Sequence, residues 1–174
     1  MKKQQLKETI DFLKLNGIAS PEIGIVLGTG LGKLIAEISI EKEIAYSDIP
    51  NFPLATVEFH SGKLIYGSLS GKKVIVMAGR FHLYEGYNPW EVTYGIRAMQ
   101  GLGIKNLLIS NAAGAINLNY KKGDLMLIED HINLQGSSPL AFQGANNFGN
   151  IFADMLAPYS AALNTKIIAI AKAQ

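Results

Sequence analysis

Leu6, Ile10 and Leu13 stand at i, i+4 and i+7 with Lys and Glu between them. That stripe predicts an amphipathic helix buried along one face. Gly17 lies just past its expected end, and Pro21 bars continuation. Ile23-Gly24-Ile25-Val26-Leu27 is a short apolar run rich in β-branched residues, the pattern of a strand buried on both faces. It stops at Gly28-Thr29-Gly30-Leu31-Gly32, and a short helix is expected from Leu31 to Glu37. Lys63 to Leu69 and Lys73 to Ala78 flank Ser70-Gly71 and read as a β-hairpin. The second of these strands ends at Gly79-Arg80-Phe81-His82.

Asn88-Pro89 supplies a helix start, with Asn as cap and Pro in the first turn. Trp90, Tyr94, Ile96, Met99 and Leu102 then predict one mostly buried helix ending near Gly101 or Gly103. Asn106 to Ser110 is another buried strand, opening into Asn111-Ala112-Ala113-Gly114. A further strand is expected at Asp124 to Glu129, a long ordered loop from Gln135 to Gly149, and a helix from Ala161 to Lys172. No repeat, linker or low-complexity segment interrupts the chain. The elements predict a single α/β domain, residues 1–174, with a mixed central sheet flanked by helices.

Composition narrows the class. The chain has 174 residues, 48% hydrophobic and 17% charged, a globular balance with enough length for a sizeable core. A net charge of +2, with only the short pairs Lys2-Lys3 and Lys121-Lys122 as basic runs, gives no footprint for nucleic acid. There is no cysteine, which excludes disulfides, thiolate metal sites and thiol catalysis. Met1 to Asp11 lacks the apolar centre of a signal peptide, and no uncharged apolar run reaches the roughly 18 residues of a membrane span. The expectation is a cytoplasmic protein with no membrane partner.

Three apolar strands end in small or polar residues: Leu27 into the glycine turn, Ala78 toward Arg80, and Ile109 toward Asn111. In open α/β sheets the ligand crevice lies outside such ends. Glycines at alternate positions allow a tight turn that aims backbone N–H groups into one concavity, and Thr29 adds a hydroxyl. The turn is either an anion site or a plain strand-to-helix connection. Lys33 stands where a dinucleotide fingerprint needs its third glycine, which disfavours a NAD-linked oxidoreductase, and no Gly-Lys pair fits a Walker A loop.

Arg80 and His82 sit two apart, so an extended backbone points both the same way. Arg offers a planar fork for phosphate oxygens, and His donates to phosphate or moves a proton near neutral pH. Glu85 is placed to orient either cation. His60 and His131 read from spacing alone as structural. The three histidines show no short metal spacing, so no metal is expected. Asn111 to Gly114 suits either close backbone approach to a ligand or close sheet–helix packing.

Taken together these segments point further. Gly28-Thr29-Gly30-Leu31-Gly32, Ile49-Pro50-Asn51-Phe52-Pro53, His60-Ser61-Gly62, Gly79 through Tyr87, Asn111-Ala112-Ala113-Gly114 and Gly123-Asp124 through Leu134 occur in order from about residue 20 to residue 160. In that order and spacing the chain resembles the trimeric class of purine nucleoside phosphorylases. The resemblance implies a nucleoside phosphorylase-like α/β fold. It implies phosphorolysis of purine (deoxy)ribonucleosides to free base and (deoxy)ribose 1-phosphate, with inorganic phosphate as co-substrate and no cofactor. By carry-over Thr29, Gly30, Arg80, His82 and the backbone at Ala112 hold phosphate. His60 closes over phosphate and ribose. Tyr84 contacts ribose hydroxyls, beside Ala112, Ala113 and Gly114, and Glu85 steadies His82. His82, Glu85 and His60 are then the catalytic set. Phe152 reaches into a neighbouring subunit's ribose pocket, so the expected assembly is a homotrimer.

Two positions depart from the family pattern: Thr29 replaces its usual Ser, and Ala115 replaces the second glycine of its Gly-Gly. The family's chains also run on by roughly a third of their length past Gln174. On that reading the fold is incomplete at its C-terminus and lacks the residues that read the purine. The resemblance leaves methylthioadenosine phosphorylase as a subclass alternative, and a non-catalytic phosphate- or nucleoside-binding remnant as another.

Overall fold

The computed structural model describes residues 1–54, 62–142 and 144–173. The chain forms two compact units, Met1–Ala113 and Gly114–Gln174.

The first unit is built on a mixed five-stranded sheet of order β2-β3-β4-β1-β5. Its strands are β1 (Ile23–Val26), β2 (Ser39–Ala45), β3 (Lys63–Leu69), β4 (Lys72–Ala78) and β5 (Asn106–Ile109). β1 runs parallel to β4 and to β5, and Val26 stands opposite both Met77 and Ile109. β2, β3 and β4 form an antiparallel meander. The predicted hairpin between β3 and β4 is present. Ser70 (φ 48°) and Gly71 (φ 77°) both take positive φ, the conformation of a type I′ turn, whose twist matches the flanking strands.

Alternation along the strands separates two packed faces. Ile25 and Leu27, Ile65, and Val74, Val76 and Ala78 point to one face, where they meet Ile38 and, from the 3₁₀ helix Gly32–Glu37, Leu34 and Ile35. On the other face lies α3 (Tyr94–Gly101). A Cβ at Gly24 would lie 2.8 Å from Ile104 Cδ1 and 3.0 Å from Met99 Sδ. The missing side chain is therefore what lets this helix layer sit close to β1.

α1 (Lys2–Leu15) is the amphipathic helix expected from Leu6, Ile10 and Leu13. Its buried face carries one polar residue, Thr9. The Thr9 hydroxyl lies 2.6 Å from Pro50 O and 2.7 Å from Tyr94 Oη. Donating to the carbonyl and accepting from the phenol satisfies all three groups and ties α1 to α3. Burial raises the Tyr94 phenol above its ordinary range, so the phenol remains a donor.

β5, expected to be a buried strand, is largely exposed, with Leu108 at 43% and Ile109 at 57%, because it is the edge strand beside β1. Three further features depart from expectation. The helix predicted from Asn88-Pro89 is divided into α2 (Pro89–Val92) and α3. Thr93 Oγ1 donates to Pro89 O at 2.9 Å, and that local bond competes with helical geometry at the junction. β2 was not foreseen, because only Ile44 along it is buried. It is an edge strand whose charges pair across the sheet, Glu43 with Lys63 at 3.0 Å and Glu41 with Lys73. Such charges suit an exposed edge.

The third correction concerns the second unit. Residues 124–129 are not a strand. Asp124 closes a turn instead: its N–H donates to Lys121 O, and its carboxylate accepts the Lys121 N–H at 2.8 Å. Leu125 is 93% exposed. An apolar run becomes a strand only when another strand takes its N–H and C=O groups, and among the described residues the sheet consists of β1 to β5 alone. The unit also contains a 3₁₀ turn at Ala145–Phe148, within the expected loop, and the predicted helix α4 (Ala161–Lys172), capped by Ser160. No helix among the described residues is long and apolar enough to cross a membrane.

Thr9→Val keeps the shape of the α1 side chain and removes its hydroxyl. It leaves Pro50 O and the Tyr94 phenol without their bonds, and should cost about 1–3 kcal/mol of stability, read from urea unfolding. A loss below about 0.5 kcal/mol, typical of a surface substitution, would show that water replaces the hydroxyl there.

Candidate functional site

Because β4, β1 and β5 are parallel, their C-terminal ends emerge at one edge of the sheet. The three connections after Leu27, Ala78 and Ile109 therefore meet there, as their composition suggested. Ser110 joins them. Its N–H donates to Val26 O at 3.0 Å. Its hydroxyl donates to the same carbonyl at 3.1 Å and accepts the Gly28 N–H at 2.9 Å. Its carbonyl accepts Arg80 Nη1 at 2.8 Å. One residue thus ties the start of the glycine turn, the end of β5 and the guanidinium into a single cluster. Sequence reasoning missed Ser110. The available signal was a hydroxyl at the end of an apolar strand.

The glycines of the turn differ in what they contribute. Gly28 is required for space: a Cβ there would lie 2.6 Å from Ser110 O and 2.9 Å from Arg80 Nη1. Gly30 is required for conformation, with φ at +88°. Gly32 meets neither demand, since its surroundings are open and it simply begins the 3₁₀ helix. Leu31 N–H donates to Gly28 O at 3.3 Å and closes the turn, leaving Thr29 and Gly30 exposed at its tip. The following 3₁₀ helix spans Gly32–Glu37, too short for an appreciable dipole. The electrostatics of the cluster therefore rest on Arg80 and on backbone N–H groups.

Arg80 and His82 project together, as the extended backbone predicts. Arg80 Nε donates to His82 Nε2 at 3.1 Å. A ring nitrogen that accepts from arginine carries a lone pair, so the imidazole proton sits on Nδ1, which meets Glu85 Oε1 at 2.6 Å. The same carboxylate oxygen accepts the His82 backbone N–H at 2.8 Å. Of the two side chains, Glu85 takes His82. It thereby orients the ring so that Nε2 faces the guanidinium.

Phe81, between them, points the opposite way and is 2% exposed. Its ring packs against Tyr46, Phe52 and Tyr87 at centroid distances of 5.4, 5.9 and 5.8 Å. This aromatic anchor holds the segment from the core side while Arg80 and His82 face the crevice.

Tyr84 is 76% exposed and stacks on the His82 ring at 4.6 Å with 15° between planes. Ala112 and Ala113 follow β5 and are exposed, within reach of the crevice edge by connectivity. Gly114 opens the second unit. Ala115 has ordinary φ: the described non-glycine residues of positive φ are Ser20, Asn51 and Ser70. The second unit carries Phe152, 83% exposed, and His131, which bonds the Tyr159 phenol. His60 and Ser61 lie outside the described residues. The structure thus brings together Gly28, Arg80, His82, Glu85 and Ser110, with Thr29 and Tyr84 at the rim.

Fold and site define the class: an α/β protein whose parallel strand ends converge on a guanidinium, an imidazole and a glycine turn. The phosphorylase superfamily matches residues 22–174, and the chain belongs to that superfamily. It is 47% identical over 163 residues to purine nucleoside phosphorylase 1 of Geobacillus stearothermophilus, covering 94% of this chain and 60% of that protein. It is 45% identical to purine nucleoside phosphorylase 1 of Bacillus subtilis, covering 98% of this chain and 63% of that one. The crystal structure of isoform 2 of purine nucleoside phosphorylase from Schistosoma mansoni, in complex with cytosine and ribose-1-phosphate, superposes with a TM-score of 0.89. That structure is 42% identical, over 97% of this chain and 60% of its own. The chain therefore spans about three-fifths of the length of these relatives.

Gly28→Ala should push Ser110 and Arg80 apart and lower stability by about 1–3 kcal/mol, the cost of overpacking, measured by urea unfolding. Gly32→Ala in the same turn should change stability by less than about 0.5 kcal/mol. Equal losses for the two would refute the division of labour within the turn.

Proposed function

We propose that this chain carries the phosphate half of a purine nucleoside phosphorylase site. In that reaction inorganic phosphate attacks C1′ of a purine nucleoside. A phosphate oxygen bonds to C1′ as the C1′–N bond breaks. The electron pair leaves with the purine, which takes up a proton, and ribose 1-phosphate is the second product. The observation that carries this reading is the convergence of Arg80, His82 and the Gly28 turn on one edge of the sheet. The curated relatives named purine nucleoside phosphorylase support it, as does the fold shared with a protein holding ribose-1-phosphate.

The roles follow from charge and reach. The guanidinium of Arg80 keeps N–H groups beyond those given to Ser110 and His82, and these bind phosphate oxygens. Thr29 Oγ1, the Gly30 N–H and the Ala112 N–H complete the cradle, and His60 closes over phosphate and sugar. Glu85 holds the His82 ring in one orientation; when Nε2 takes up a proton in place of the bond from Arg80, the ring donates to phosphate. Tyr84, stacked on His82 at the rim, takes the ribose hydroxyls, with Ala113 and Gly114 alongside. Held in this way, phosphate lies on the face of the sugar opposite the leaving base. Its negative charge offsets the positive charge that develops on the ribose.

The chemistry needs electrostatic and positioning groups only, all of which amino-acid side chains supply. We place the protein in the cytoplasm, because a chain without cysteine suits a reducing compartment. The assembly is a homotrimer in which Phe152, exposed within its own unit, reaches the neighbouring subunit's ribose.

Arg80→Ala should weaken phosphate binding by about 1.5–3 kcal/mol, the loss of a charged hydrogen-bond partner, measured by isothermal calorimetry on the full chain. An unchanged dissociation constant would remove Arg80 from the site. Turnover of inosine or guanosine with phosphate, and not of methylthioadenosine, is the expected substrate pattern. The reverse preference assigns the other subclass, and phosphate binding without turnover of any of the three reduces the chain to a binding protein.

A further inference from the structure

On the core side of residues 79–82, one buried phenol touches the backbone that launches Arg80. Tyr46 is 1% exposed, and its hydroxyl donates to Gly79 O at 2.8 Å. Gly79 has φ at +117°, so its peptide is turned in a way that other residues rarely adopt. The carbonyl accepting this bond belongs to the peptide unit whose N–H is that of Arg80. The Tyr46 ring packs on Phe52 at 4.9 Å and on Phe81 at 5.4 Å, and Phe81 separates Arg80 from His82 in the chain. The tyrosine therefore grips the segment twice, once by hydroxyl before Arg80 and once by ring after it.

We infer that Tyr46 is a positioning residue for Arg80 and His82, setting the direction of the guanidinium through the Gly79–Arg80 peptide. The inference rests on the phosphate reading proposed above. The physical argument is one of freedom. A peptide joined to a positive-φ glycine on one side and to an extended residue on the other is free to flip, unless its carbonyl is held. Above it, Arg80 is restrained by Ser110 O and His82 Nε2. Below it, the Tyr46 hydroxyl supplies the opposing restraint. Burial drives the phenol well above its ordinary range, so it stays a donor at every pH at which the fold survives. Without it the Gly79 carbonyl has a reason to turn toward another donor, and the guanidinium turns with it.

Tyr66 provides an internal control. It is also buried, and its hydroxyl donates to the backbone carbonyl of Ala19 at 2.6 Å, but that bond lies on the α1–β1 connection, away from residues 79–82. Tyr46→Phe and Tyr66→Phe each delete one such bond and keep the ring. Both should lower stability by similar amounts, and only the first should disturb Arg80.

The direct readout is the arginine Nε–H region of a ¹⁵N–¹H spectrum of the full chain. The sequence contains two arginines, Arg80 and Arg97, so Arg80→Lys identifies the signals by removing one. In Tyr46→Phe the Arg80 Nε–H signal should shift or broaden while that of Arg97 stays in place. In Tyr66→Phe neither should move. Phosphate titrated into the same samples should bind about tenfold more weakly to Tyr46→Phe, the low end of the loss expected for a charged hydrogen-bond partner, and normally to Tyr66→Phe. Combined with Arg80→Ala, Tyr46→Phe should add nothing further.

An unmoved Arg80 signal in Tyr46→Phe overturns the inference, and so does equal movement in both tyrosine variants. If Arg80 moves only in Tyr46→Phe and the unaltered chain fails to bind phosphate, the phosphate reading fails and the positioning role stands.

Discussion

The structure of the site depends on the hydrogen bonds gathered at Ser110. A parallel arrangement of β4, β1 and β5 brings three chain connections to one edge, but parallel pairing ends where the ladder ends. Beyond it, Ser110 continues the pairing by other means. Its N–H and hydroxyl both serve Val26 O, its hydroxyl receives Gly28 N–H, and its carbonyl receives Arg80. The last of these bonds is charge-assisted and correspondingly strong. It has room to form because Gly28 has no side chain to stand between the serine and the guanidinium.

From that junction the rest of the crevice follows by successive restraints. Arg80 fixes the lone pair of His82, Glu85 fixes its proton, and the ring so oriented becomes the platform on which Tyr84 stacks. On the core side, Phe81 lies in an aromatic cluster with Tyr46, Phe52 and Tyr87. Alternation along an extended backbone converts that single buried ring into two side chains facing outward. The polar face is thus ordered by an apolar one, which costs nothing in unsatisfied hydrogen bonds because the buried tyrosine donates to Gly79 O.

Much of this was legible in the chain. Leu6, Ile10 and Leu13 announced α1, and the runs ending at Leu27 and Ala78 announced two buried strands, because local periodicity reports which faces are buried; the run ending at Ile109 announced a strand but not its largely exposed position at the sheet edge. The Ser70-Gly71 turn announced its hairpin, since few residue pairs accept positive φ twice in succession. The Arg80-Phe81-His82 alternation announced two side chains on one face. Where local pattern was weak or misleading the reading failed. β2 is an exposed edge with one buried residue, so it left no hydrophobic trace. Residues 124–129 have the composition of a strand without a partner to make them one. Thr93 breaks a helix through a bond to Pro89 O that helical spacing does not register.

The sequence by itself determined the kinds of element, the residues that face inward, and the side chains with chemistry suited to an anion, because these depend on neighbours a few positions apart. Only the tertiary structure decided that Gly28 is needed for space, that Ser110 is the junction, and that Tyr46 reaches Gly79. Each of these is a contact between segments distant in the chain. Such contacts are created by strand order and register, which sequence spacing does not encode.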